Sequence, residues 1–442
     1  MMIFFPIVVL KVPLCVFLEY PDTKSAESAG ALMKLILGRR GRSVSRAIGF
    51  MQKNSPEEVG ELISYSGEGH LMTFSPTGGG KTSGPVICNA LTHRGQLIVI
   101  DIKGEIYAKT ADARRAMGQQ VHVLDMSDRA LPGSLNPLDL LMLSGTDYSA
   151  MARSFAADLI ERGAAERERY WNDWAETLIS GGTTYLLADN PPEQRKISAL
   201  FDIYNRDDVV YSLAKLLDEK GKLIDRSAHA TFASFLQIGA DVTRDGILSS
   251  TQTHLRLFDS QMIRRLTDTS TMDVAALALG EPMSIYIIVP PFRLKAFSPV
   301  LRIWLSSLIM SMMQRSEPPA ERTLMLCDEI GNLGRIDAFV TAATLMRSWG
   351  LTLWSFWQNV DQLKEYGTQA NTLIDNAGVI QAFGAKNMRA AQDFVNIVGG
   401  LTADQVLGLP KDEQILLIDG KCTLCKQARY YNDELFRSSV LT

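Results

Sequence analysis

Cysteine is scarce in this chain, with five residues among 442, at positions 15, 88, 327, 422 and 425. Cys88 and Cys327 lie in apolar runs, which is typical of buried thiols. Cys422 and Cys425 form a C-x-x-C pattern, but no second cysteine or histidine pair lies nearby to complete a zinc site. We therefore expect two ordinary thiols beside a turn rather than a metal or redox site. This cysteine usage fits a reducing cytosol.

Positive charge is not in excess either, since the formal net charge is -4. The composition thus gives no general sign of a nucleic-acid-binding protein. A ring or channel protein can still concentrate positive charge on one inner surface, so the charge balance does not exclude DNA as a partner. Solvated faces are the favoured interpretation of the basic residues that are candidates for lining such a pore. These candidates are Arg256, Arg264, Arg265 and Lys295.

A long uninterrupted apolar run is also missing. The apolar stretch at residues 1–18 carries Pro6, Lys11 and Pro13, whereas a membrane span needs about 20 consecutive apolar residues. It also lacks the positive start and the small-residue cleavage site of a signal peptide. Two interpretations stay open for it, the remnant of a membrane anchor or a buried strand. The arginines that follow would suit a cytoplasmic flank or a solvated loop. They are Arg39, Arg40, Arg42 and Arg46.

Residues 71–84, LMTFSPTGGGKTSG, have the pattern of a phosphate-binding P-loop, in which a strand end and a glycine-rich turn lead into a helix. Consecutive glycines let backbone N–H groups converge on a phosphate, and the positive end of the helix would face it. Lys81 would reach the β- and γ-phosphates, and the Thr82 hydroxyl would hold Mg²⁺. Ser75 replaces the usual first glycine, so a structural glycine-rich turn is the alternative. The candidate nucleotide-binding residues are Ser75, Pro76, Thr77, Gly78, Gly79, Gly80, Lys81 and Thr82.

Short apolar runs separated by amphipathic segments dominate much of the sequence. With 46% hydrophobic and 21% charged residues, a chain of 442 residues can form two or three domains with ample core. The alternation predicts an α/β fold with a mostly parallel sheet and helices on both faces. The predicted strands are residues 96–101, 121–125, 284–289, 323–328, 351–358, 379–384 and 414–419.

Residues 145–278 differ from the rest, because they show helical periodicity without a clear strand. We expect an all-α domain inserted between two strands of the α/β domain. The expected division is an N-terminal region with a possible degenerate anchor at residues 1–64, a first part of the nucleotide-binding domain at 65–144, the all-α domain at 145–278, and a second part at 279–442.

The apolar run at residues 323–328 ends in Asp328 and is followed by Glu329, which is the Walker B pattern. Asp328 would hold the Mg²⁺ shell. Glu329 would orient or deprotonate the attacking water, because a carboxylate beside the γ-phosphate can do either. Capping is the alternative for acids at a strand end. The presence of a P-loop in the same chain favours the catalytic interpretation.

Two further residues are candidates for the catalytic site. Gln358 ends a predicted parallel strand, where a polar side chain points into the nucleotide crevice and can sense the γ-phosphate. A strand-edge hydrogen bond is the alternative. Arg347, on the preceding helical segment, would reach the γ-phosphate of a neighbouring subunit as an arginine finger, or it is a surface arginine.

Residues 101–105, DIKGE, follow a predicted strand and place acids and a base near the same site. Asp101 would support Mg²⁺ or the Walker B carboxylates. The alternative is a structural turn with a pair between Lys103 and Glu105.

Several segments in this order resemble the coupling proteins of type IV secretion and bacterial conjugation, the TraG/TrwB-like ATPases. The resemblance covers most of residues 65–432. The signatures D-x-K-G-E, N-P-L-D and D-E-x-x-N-L-G-R are more specific than the P-loop. The matching segments are SPTGGGKTSGPVICNAL, VIDIKGEIYAKTADARRAMGQQVHVLD, SLNPLDL, LMLCDEIGNLGRI, WQNVDQLKEYG and ILLIDGKCTLCKQARYY.

The resemblance implies a RecA-like nucleotide-binding domain interrupted by an all-α domain. It also implies a homo-hexameric ring on the cytoplasmic face of the bacterial inner membrane. Such proteins use ATP and Mg²⁺ to pass relaxase-bound single-stranded DNA, or effector proteins, to the channel subunits of a secretion system. The residues that match the family's positions are Lys81, Thr82, Asp328, Glu329, Gln358 and, in the region of the finger, Arg347.

The chain departs from the family's pattern at its start. Members usually carry two N-terminal membrane helices and a small periplasmic loop, whereas only residues 1–18 correspond to them here. Either the anchor is lost, or a separate chain supplies it, or the start is truncated. There is also no long acidic C-terminal tail, so no extra relaxosome-docking module is visible.

We therefore expect an ATP-hydrolysing coupling protein. The alternative is a substrate receptor that is not a motor and binds ATP only to organise its ring. A third possibility is a double-strand DNA translocase of the same RecA-like class, against which the D-x-K-G-E and N-P-L-D segments argue through the resemblance.

Overall fold

A single large sheet organises the described part of the chain. The computed structural model describes residues 34–41, 60–143 except 128 and 130, 145, 147–160 and 169–436. Its strands are β1 (Leu35–Arg39), β2 (Leu62–Tyr65), β3 (His70–Phe74), β4 (Leu97–Asp101), β5 (Gln120–Asp125), β6 (Met283–Ile288), β7 (Thr323–Cys327), β8 (Leu351–Trp357), β9 (Ala377–Ala382), β10 (Glu413–Ile418) and β11 (Lys421–Lys426). They lie in the order β2-β1-β11-β10-β9-β3-β8-β7-β4-β6-β5.

The strands from β9 to β5 in this order pair in parallel, and the four strands at the other end pair antiparallel. Strands β3, β4, β6, β7 and β8 are buried along their whole length, which explains why their sequences are mostly apolar. The predicted α/β fold with a mostly parallel sheet is confirmed. Each of the seven predicted strands is present within two residues of its expected bounds.

Helices fill the connections between most of the strands. Between β5 and β6 the described residues form helices and no strand. The α-helices are α1 (Ile87–Thr92), α2 (Glu105–Ala116), α3 (Pro137–Leu143), α4 (Tyr148–Leu159), α5 (Arg169–Asp189), α6 (Ile197–Tyr204), α7 (Val209–Lys220), α8 (Arg226–Leu236), α9 (Asp241–Leu255), α10 (Gln261–Thr267), α11 (Val274–Leu279), α12 (Leu294–Met312), α13 (Asp337–Leu345), α14 (Gln369–Asp375), α15 (Met388–Val398) and α16 (Ala403–Leu407).

Both faces of the sheet are covered by apolar side chains. Along β4, Ile98 and Ile100 belong to a large cluster that includes residues of α12, whereas Leu97 and Val99 belong to a second cluster with residues of α1 and α2. Alternate side chains of a strand point to opposite faces, so both faces must be packed. The buried Trp304 of α12 also donates its indole N–H to the Leu135 carbonyl at 2.8 Å, which ties α12 to the segment that leads into α3.

The antiparallel strands β1, β2 and β11 have no counterpart among the predicted strands. Strand β11 occupies the place where a turn was expected at Cys422 and Cys425, and the turn lies just before it, at Asp419 and Gly420. Two residues three apart on a strand face opposite sides of the sheet, so these thiols do not form a common site. Burial raises the pKa of the Cys425 thiol to about 12, which makes it unreactive.

Arg39 lies on β1, and this corrects the expectation of a solvated loop at this position. Its side chain is 17% exposed and donates to the Asp433 carboxylate at 2.8 Å. Arg40 next to it is exposed, and Arg42, Arg46 and residues 1–18 lie outside the described residues. None of the helices in the described ranges is long and apolar enough to cross a membrane.

The basic residues considered for a pore differ in their surroundings. Arg264 is held within the chain, since its guanidinium donates to Asp202 at 2.9 Å and lies 5.5 Å from the centre of the Phe201 ring. Arg265 is exposed but donates to the Leu131 carbonyl at 3.0 Å. The remaining two, Arg256 and Lys295, are exposed.

Acid is expected to destabilise the fold through His70. This residue of β3 is 4% exposed, and its Nδ1 accepts a hydrogen bond from the Leu353 N–H at 3.1 Å. Burial, assisted by the charge of Arg322, lowers the pKa of His70 from 6.5 to about 4. The neutral ring therefore stabilises the fold fully above pH 6.5. This contribution to the free energy of unfolding falls as the pH drops towards 4, by about 1.4 kcal/mol per pH unit.

Urea unfolding between pH 7 and pH 4.5 measures this slope. His70→Asn keeps an acceptor for the Leu353 N–H without a titrating group. The slope of its free energy of unfolding against pH should therefore be smaller, by the equivalent of about one bound proton. The variant His229→Asn, on α8, is the control and should keep the slope of the unmodified chain. An identical slope in His70→Asn would contradict the argument.

Candidate nucleotide-binding site

The three predicted nucleotide motifs meet at one edge of the sheet. Strands β3, β8 and β7 are neighbours and parallel, so their carboxyl ends lie side by side. The P-loop at residues 75–82 follows β3, Gln358 follows β8, and Asp328 and Glu329 follow β7. This is the edge at which open α/β sheets bind their ligands.

Ser75 fits the P-loop although glycine is usual at this position. Its backbone N–H donates to the Trp357 carbonyl at 2.9 Å, and the residue is buried. The turn then closes with the Gly79 N–H donating to the Pro76 carbonyl at 2.8 Å. A Cβ on Gly79 would lie only 2.4 Å from the Ser75 Oγ. The Ser75 side chain is therefore accommodated because residue 79 has none.

The turn needs glycine at two further positions and leads into a helix. Gly78 and Gly80 have φ angles of 82° and 99°, in the region that favours glycine. Residues Thr82–Val86 then form a π-helical turn that is interrupted at Gly84 and continues into α1. A helix thus follows Lys81 as expected, but its first turn is wider than that of an α-helix.

A cleft of about 180 Å³ adjoins the start of the P-loop. Pro76 and Thr77 line it, together with Gln358 and with residues 384–387 after β9. The cleft therefore lies between the carboxyl ends of β3, β8 and β9. It extends the site from β8 across β3 to β9.

Lys81 reaches the Walker B acids. Its Nζ donates to the Glu329 Oε1 at 2.9 Å and lies 3.8 Å from the Asp328 Oδ1, and its side chain is 8% exposed. Burial raises the pKa of Asp328 to about 6, an effect that Lys81 opposes and Glu329 increases. The Lys81 ammonium is thus the charge that allows two acids to stand together at a buried site.

Glu329 is oriented by three donors. Besides Lys81, the Asn332 Nδ2 and the Gln358 Nε2 donate to its Oε2 at 2.7 Å and 2.9 Å. Burial raises the pKa of Glu329, but the hydrogen bonds from these side chains lower it more, so the pKa lies below its usual value. Its φ of 55° is in the left-handed region, which costs about 1–3 kcal/mol for a residue with a Cβ. Glu329 therefore presents an ionised carboxylate in a fixed orientation.

The oxygen atoms beside the P-loop fit a magnesium ion. The Thr82 Oγ1 donates to the Asp328 Oδ2 at 3.5 Å, and the Asp328 Oδ1 is buried without a hydrogen-bond partner among the described residues. Mg²⁺ takes oxygen ligands, usually one or two from protein and the rest from phosphates and water. No larger cluster of His, Cys, Asp or Glu able to hold a metal occurs in the described part of the chain.

Asp101 is used by a turn. It is 1% exposed, and its carboxylate accepts hydrogen bonds from the backbone N–H groups of Gly104 at 2.8 Å and Tyr107 at 2.9 Å. These contacts fix the start of α2. The structure therefore favours the turn over a role of Asp101 in supporting Mg²⁺.

Arg347 does not join the other candidates within one chain. It precedes β8, whose seven residues separate it from Gln358 by about 23 Å at about 3.3 Å per residue. Its Nε lies 3.3 Å from the Glu68 Oε2, and its side chain is 62% exposed. Arg347 thus lies at the amino edge of the sheet, opposite the P-loop of its own chain.

Two residues of the site were not among the candidates. Asn332 belongs to the D-E-x-x-N pattern, so its spacing from Glu329 was a usable signal. Arg429 follows β11 and donates to the Gly79 carbonyl at 3.4 Å. Arg429 lies in the matching segment ILLIDGKCTLCKQARYY, but that segment did not indicate its contact, which depends on where β11 lies in the sheet.

The site has three parts at neighbouring parallel strands: a P-loop after β3, two acids after β7 and a polar side chain after β8, which lies between them. This arrangement defines a RecA-like P-loop protein. Within this class, the chain belongs to the family described as type IV secretory system conjugative DNA transfer, whose family model matches residues 28–405. The resemblance to TraG/TrwB-like coupling proteins is therefore confirmed.

Relatives in this family are similar over most of the chain. Protein VirD4 of Rhizobium rhizogenes is 24% identical over 422 residues, which cover 86% of this chain and 61% of the relative. Conjugal transfer protein TraG of Escherichia coli is 22% identical over 415 residues, covering 87% and 64%. The chain therefore spans less than two thirds of the length of these relatives.

Solved structures show the same fold at low identity. The unbound bacterial conjugative coupling protein TrwBdeltaN70 is 14% identical, with a TM-score of 0.63 over 81% of this chain and 84% of its own. Plasmid coupling protein TrwB in complex with ADP and Mg²⁺ has a TM-score of 0.61 and 14% identity over 81% and 84%. VirB4 of Thermoanaerobacter pseudethanolicus has a TM-score of 0.54 and 14% identity over 89% and 96%. At these identities the likeness concerns the fold.

Proposed function

We propose that this chain is an ATP-hydrolysing coupling protein of a type IV secretion or conjugation system. The observation that carries the proposal is the convergence of Lys81, Glu329 and Gln358 beside the P-loop turn. ATP hydrolysis needs a loop that binds the phosphates, an oriented carboxylate and a polar group that is hydrogen-bonded to that carboxylate. The family adds the setting, since its description is conjugative DNA transfer.

The residues of the P-loop would bind the nucleotide phosphates. Backbone N–H groups of the glycine turn would donate to phosphate oxygens, and Lys81 would exchange part of its contact with Glu329 for a phosphate. Mg²⁺ bound with the nucleotide would neutralise phosphate charge, and Thr82 and Asp328 are the residues that would hold it. TrwB, which shares the fold, has been solved with ADP and Mg²⁺, in support of this assignment.

Glu329 and Gln358 would act on the attacking water. An ionised Glu329 beside Lys81 can orient the water and accept its proton. Gln358 donates to the same carboxylate. If the Glu329 carboxylate moves when ATP becomes ADP, the side chain of Gln358 at the end of β8 would move with it. This makes Gln358 suited to sense the γ-phosphate.

The partners of this proposed activity follow from the family. We propose single-stranded DNA bound to a relaxase, or effector proteins, as the cargo, and channel subunits of a type IV secretion system as its destination. A homo-hexamer on the cytoplasmic face of the inner membrane would bring Arg347 of one subunit towards the P-loop of the next. The exposed position of Arg347 at the far edge of its own sheet supports a role in such an assembly.

The test is the rate of ATP hydrolysis against protein concentration, with and without single-stranded DNA. We expect the rate per chain to rise with concentration and with DNA. In Lys81→Ala it should fall by about 10²- to 10³-fold, because the buried cation that neutralises phosphate charge is removed. Lys364→Ala removes an exposed cation elsewhere and is the control.

An unchanged rate in Lys81→Ala would refute the assigned site. Nucleotide binding without release of phosphate, even with DNA present, would instead support the receptor that binds ATP only to organise its ring. A single-turnover measurement with radiolabelled ATP separates these two results.

A further inference from the structure

The segment that follows β11 lies along the P-loop of the same chain. Strand β11 pairs antiparallel with β10, which pairs antiparallel with β9, so the carboxyl end of β11 is at the P-loop edge of the sheet. The Tyr430 N–H then donates to the Ser83 carbonyl at 3.1 Å. A Cβ on Gly84 would lie 3.0 Å from the Ala428 carbonyl oxygen. The two segments are therefore in direct backbone contact.

This contact places the Arg429 guanidinium against the glycine turn. A Cβ on Gly80 would lie 2.8 Å from the Arg429 Nη1 and 2.9 Å from its Cζ. The Arg429 Nη2 donates to the Gly79 carbonyl at 3.4 Å and to the Lys411 carbonyl at 3.0 Å. Gly80 thus lets a planar cation approach the turn at a distance that a side chain would block.

The described contacts of Arg429 do not include an acidic side chain that would neutralise its charge. Its other partners are the Gln427 Oε1 at 2.9 Å and the Tyr431 hydroxyl at 3.0 Å, so every acceptor is neutral. Among residues whose placement the structure describes, no carboxylate forms an ion pair with Arg429. Lys81 differs, because its ammonium is shared with Glu329. A guanidinium whose acceptors are all neutral keeps its net positive charge, which can attract an anion.

The position of Arg429 complements that of the Walker B acids. In the sheet, β11 lies on one side of the P-loop strand β3, and β7 lies on the other. Lys81, Asp328 and Glu329 together carry one positive and two negative charges, so they leave the β7 side acidic. On the β11 side, a nucleotide polyphosphate at the P-loop would meet Arg429, whose charge is not neutralised by an acid among the described residues.

We propose that Arg429 is a nucleotide-contacting residue whose guanidinium binds phosphate oxygens of the nucleotide held at the P-loop of its own chain. This inference rests on the proposed function, because it requires a nucleotide at the P-loop. It deepens that function by assigning to the segment after β11 a part in holding the phosphates.

The test compares the dissociation constants of Mg·ADP for the unmodified chain, Arg429→Gln, Arg429→Lys and Lys421→Ala, by titration calorimetry at low and high salt. Arg429→Gln keeps donors for the neighbouring carbonyls but removes the charge, and should weaken binding by about 10- to 100-fold. It should also reduce the salt dependence of binding, because a charge–charge contact is screened by salt. Arg429→Lys should restore part of the affinity.

Lys421→Ala is the matched control, because it removes one positive charge from the other end of β11 and should bind as the unmodified chain does. A merely structural Arg429 would give a different result, in which Gln supports binding as well as Lys does and the salt dependence is unchanged. That result would overturn the inference.

Lys81→Ala separates this inference from the proposed function. If Lys81→Ala loses binding while Arg429→Gln binds Mg·ADP normally, the site stands and the role of Arg429 is refuted. If the unmodified chain binds no Mg·ADP, both are refuted.

Discussion

Glu329→Gln is expected to lower the rate of ATP hydrolysis by about 10²- to 10⁴-fold, the contribution of a positioned acid or base. The amide has the shape of the carboxylate, so its oxygen can still accept the hydrogen bonds from Asn332 and Gln358. An amide cannot, however, take a proton from water. Nucleotide binding should persist or become tighter, because Lys81 loses its 2.9 Å contact with a charged partner and becomes available to phosphate. Phosphate release and nucleotide affinity, measured on the same sample, separate the two effects.

Glu365→Gln is the matched control for this substitution. The same change from carboxylate to amide is made at Glu365, which lies in the 3₁₀ turn at Val360–Tyr366 after Gln358. Its exposed side chain lies outside the site, so its rate of hydrolysis should match that of the unmodified chain. Normal hydrolysis by Glu329→Gln would exclude Glu329 as the group that activates water.

Most of the fold could be predicted because its central strands are buried on both faces. Continuous apolar runs such as the one at β7 can hardly be solvent-exposed, and their alternation with amphipathic segments specifies a parallel sheet. The antiparallel strands β1, β2 and β11 lacked this signal. Strands β2 and β11 are only partly buried, so their sequences need not be continuous apolar runs.

The site could be predicted where chemistry depends on neighbours in sequence. Lys81 and Thr82 follow the glycine turn, and Glu329 follows Asp328, so short motifs were sufficient to propose them. The left-handed backbone of Glu329, with a φ of 55°, is not a property of glutamate and had no signal in the sequence. Arg429 lies about 350 residues from the turn that it contacts, and its contact arises only from the strand order.

Asp101 shows the limit of reasoning from position alone. An acid after a parallel strand lies at the correct edge for catalysis, and this is true of Asp101 and of Asp328. Only the tertiary contacts distinguish them, because Asp101 accepts backbone N–H groups at the start of α2 while Asp328 keeps a buried oxygen without a hydrogen-bond partner in the described residues.

Arg347→Ala is expected to lower the rate of ATP hydrolysis of the assembled protein by about 10³- to 10⁵-fold, the contribution of an arginine finger. The affinity of the isolated chain for nucleotide should not change, because Arg347 lies at the opposite edge of the sheet from its own P-loop. The fold should also be retained, since the pair with Glu68 is exposed on both sides and such pairs contribute at most about 1 kcal/mol. Arg389→Ala, which removes another exposed arginine on α15, is the control.

Mixing two inactive variants gives the sharper form of this experiment. Glu329→Gln chains retain the finger, and Arg347→Ala chains retain the catalytic acid, so neither hydrolyses ATP in its own assembly. In mixed assemblies, an intact P-loop and Glu329 of one chain would meet an intact Arg347 of its neighbour, and part of the activity should return. Recovery that rises with the proportion of mixed contacts requires a site shared between subunits. A mixture as inactive as its components, or an Arg347→Ala protein as active as the unmodified chain, would show that each chain completes its own site.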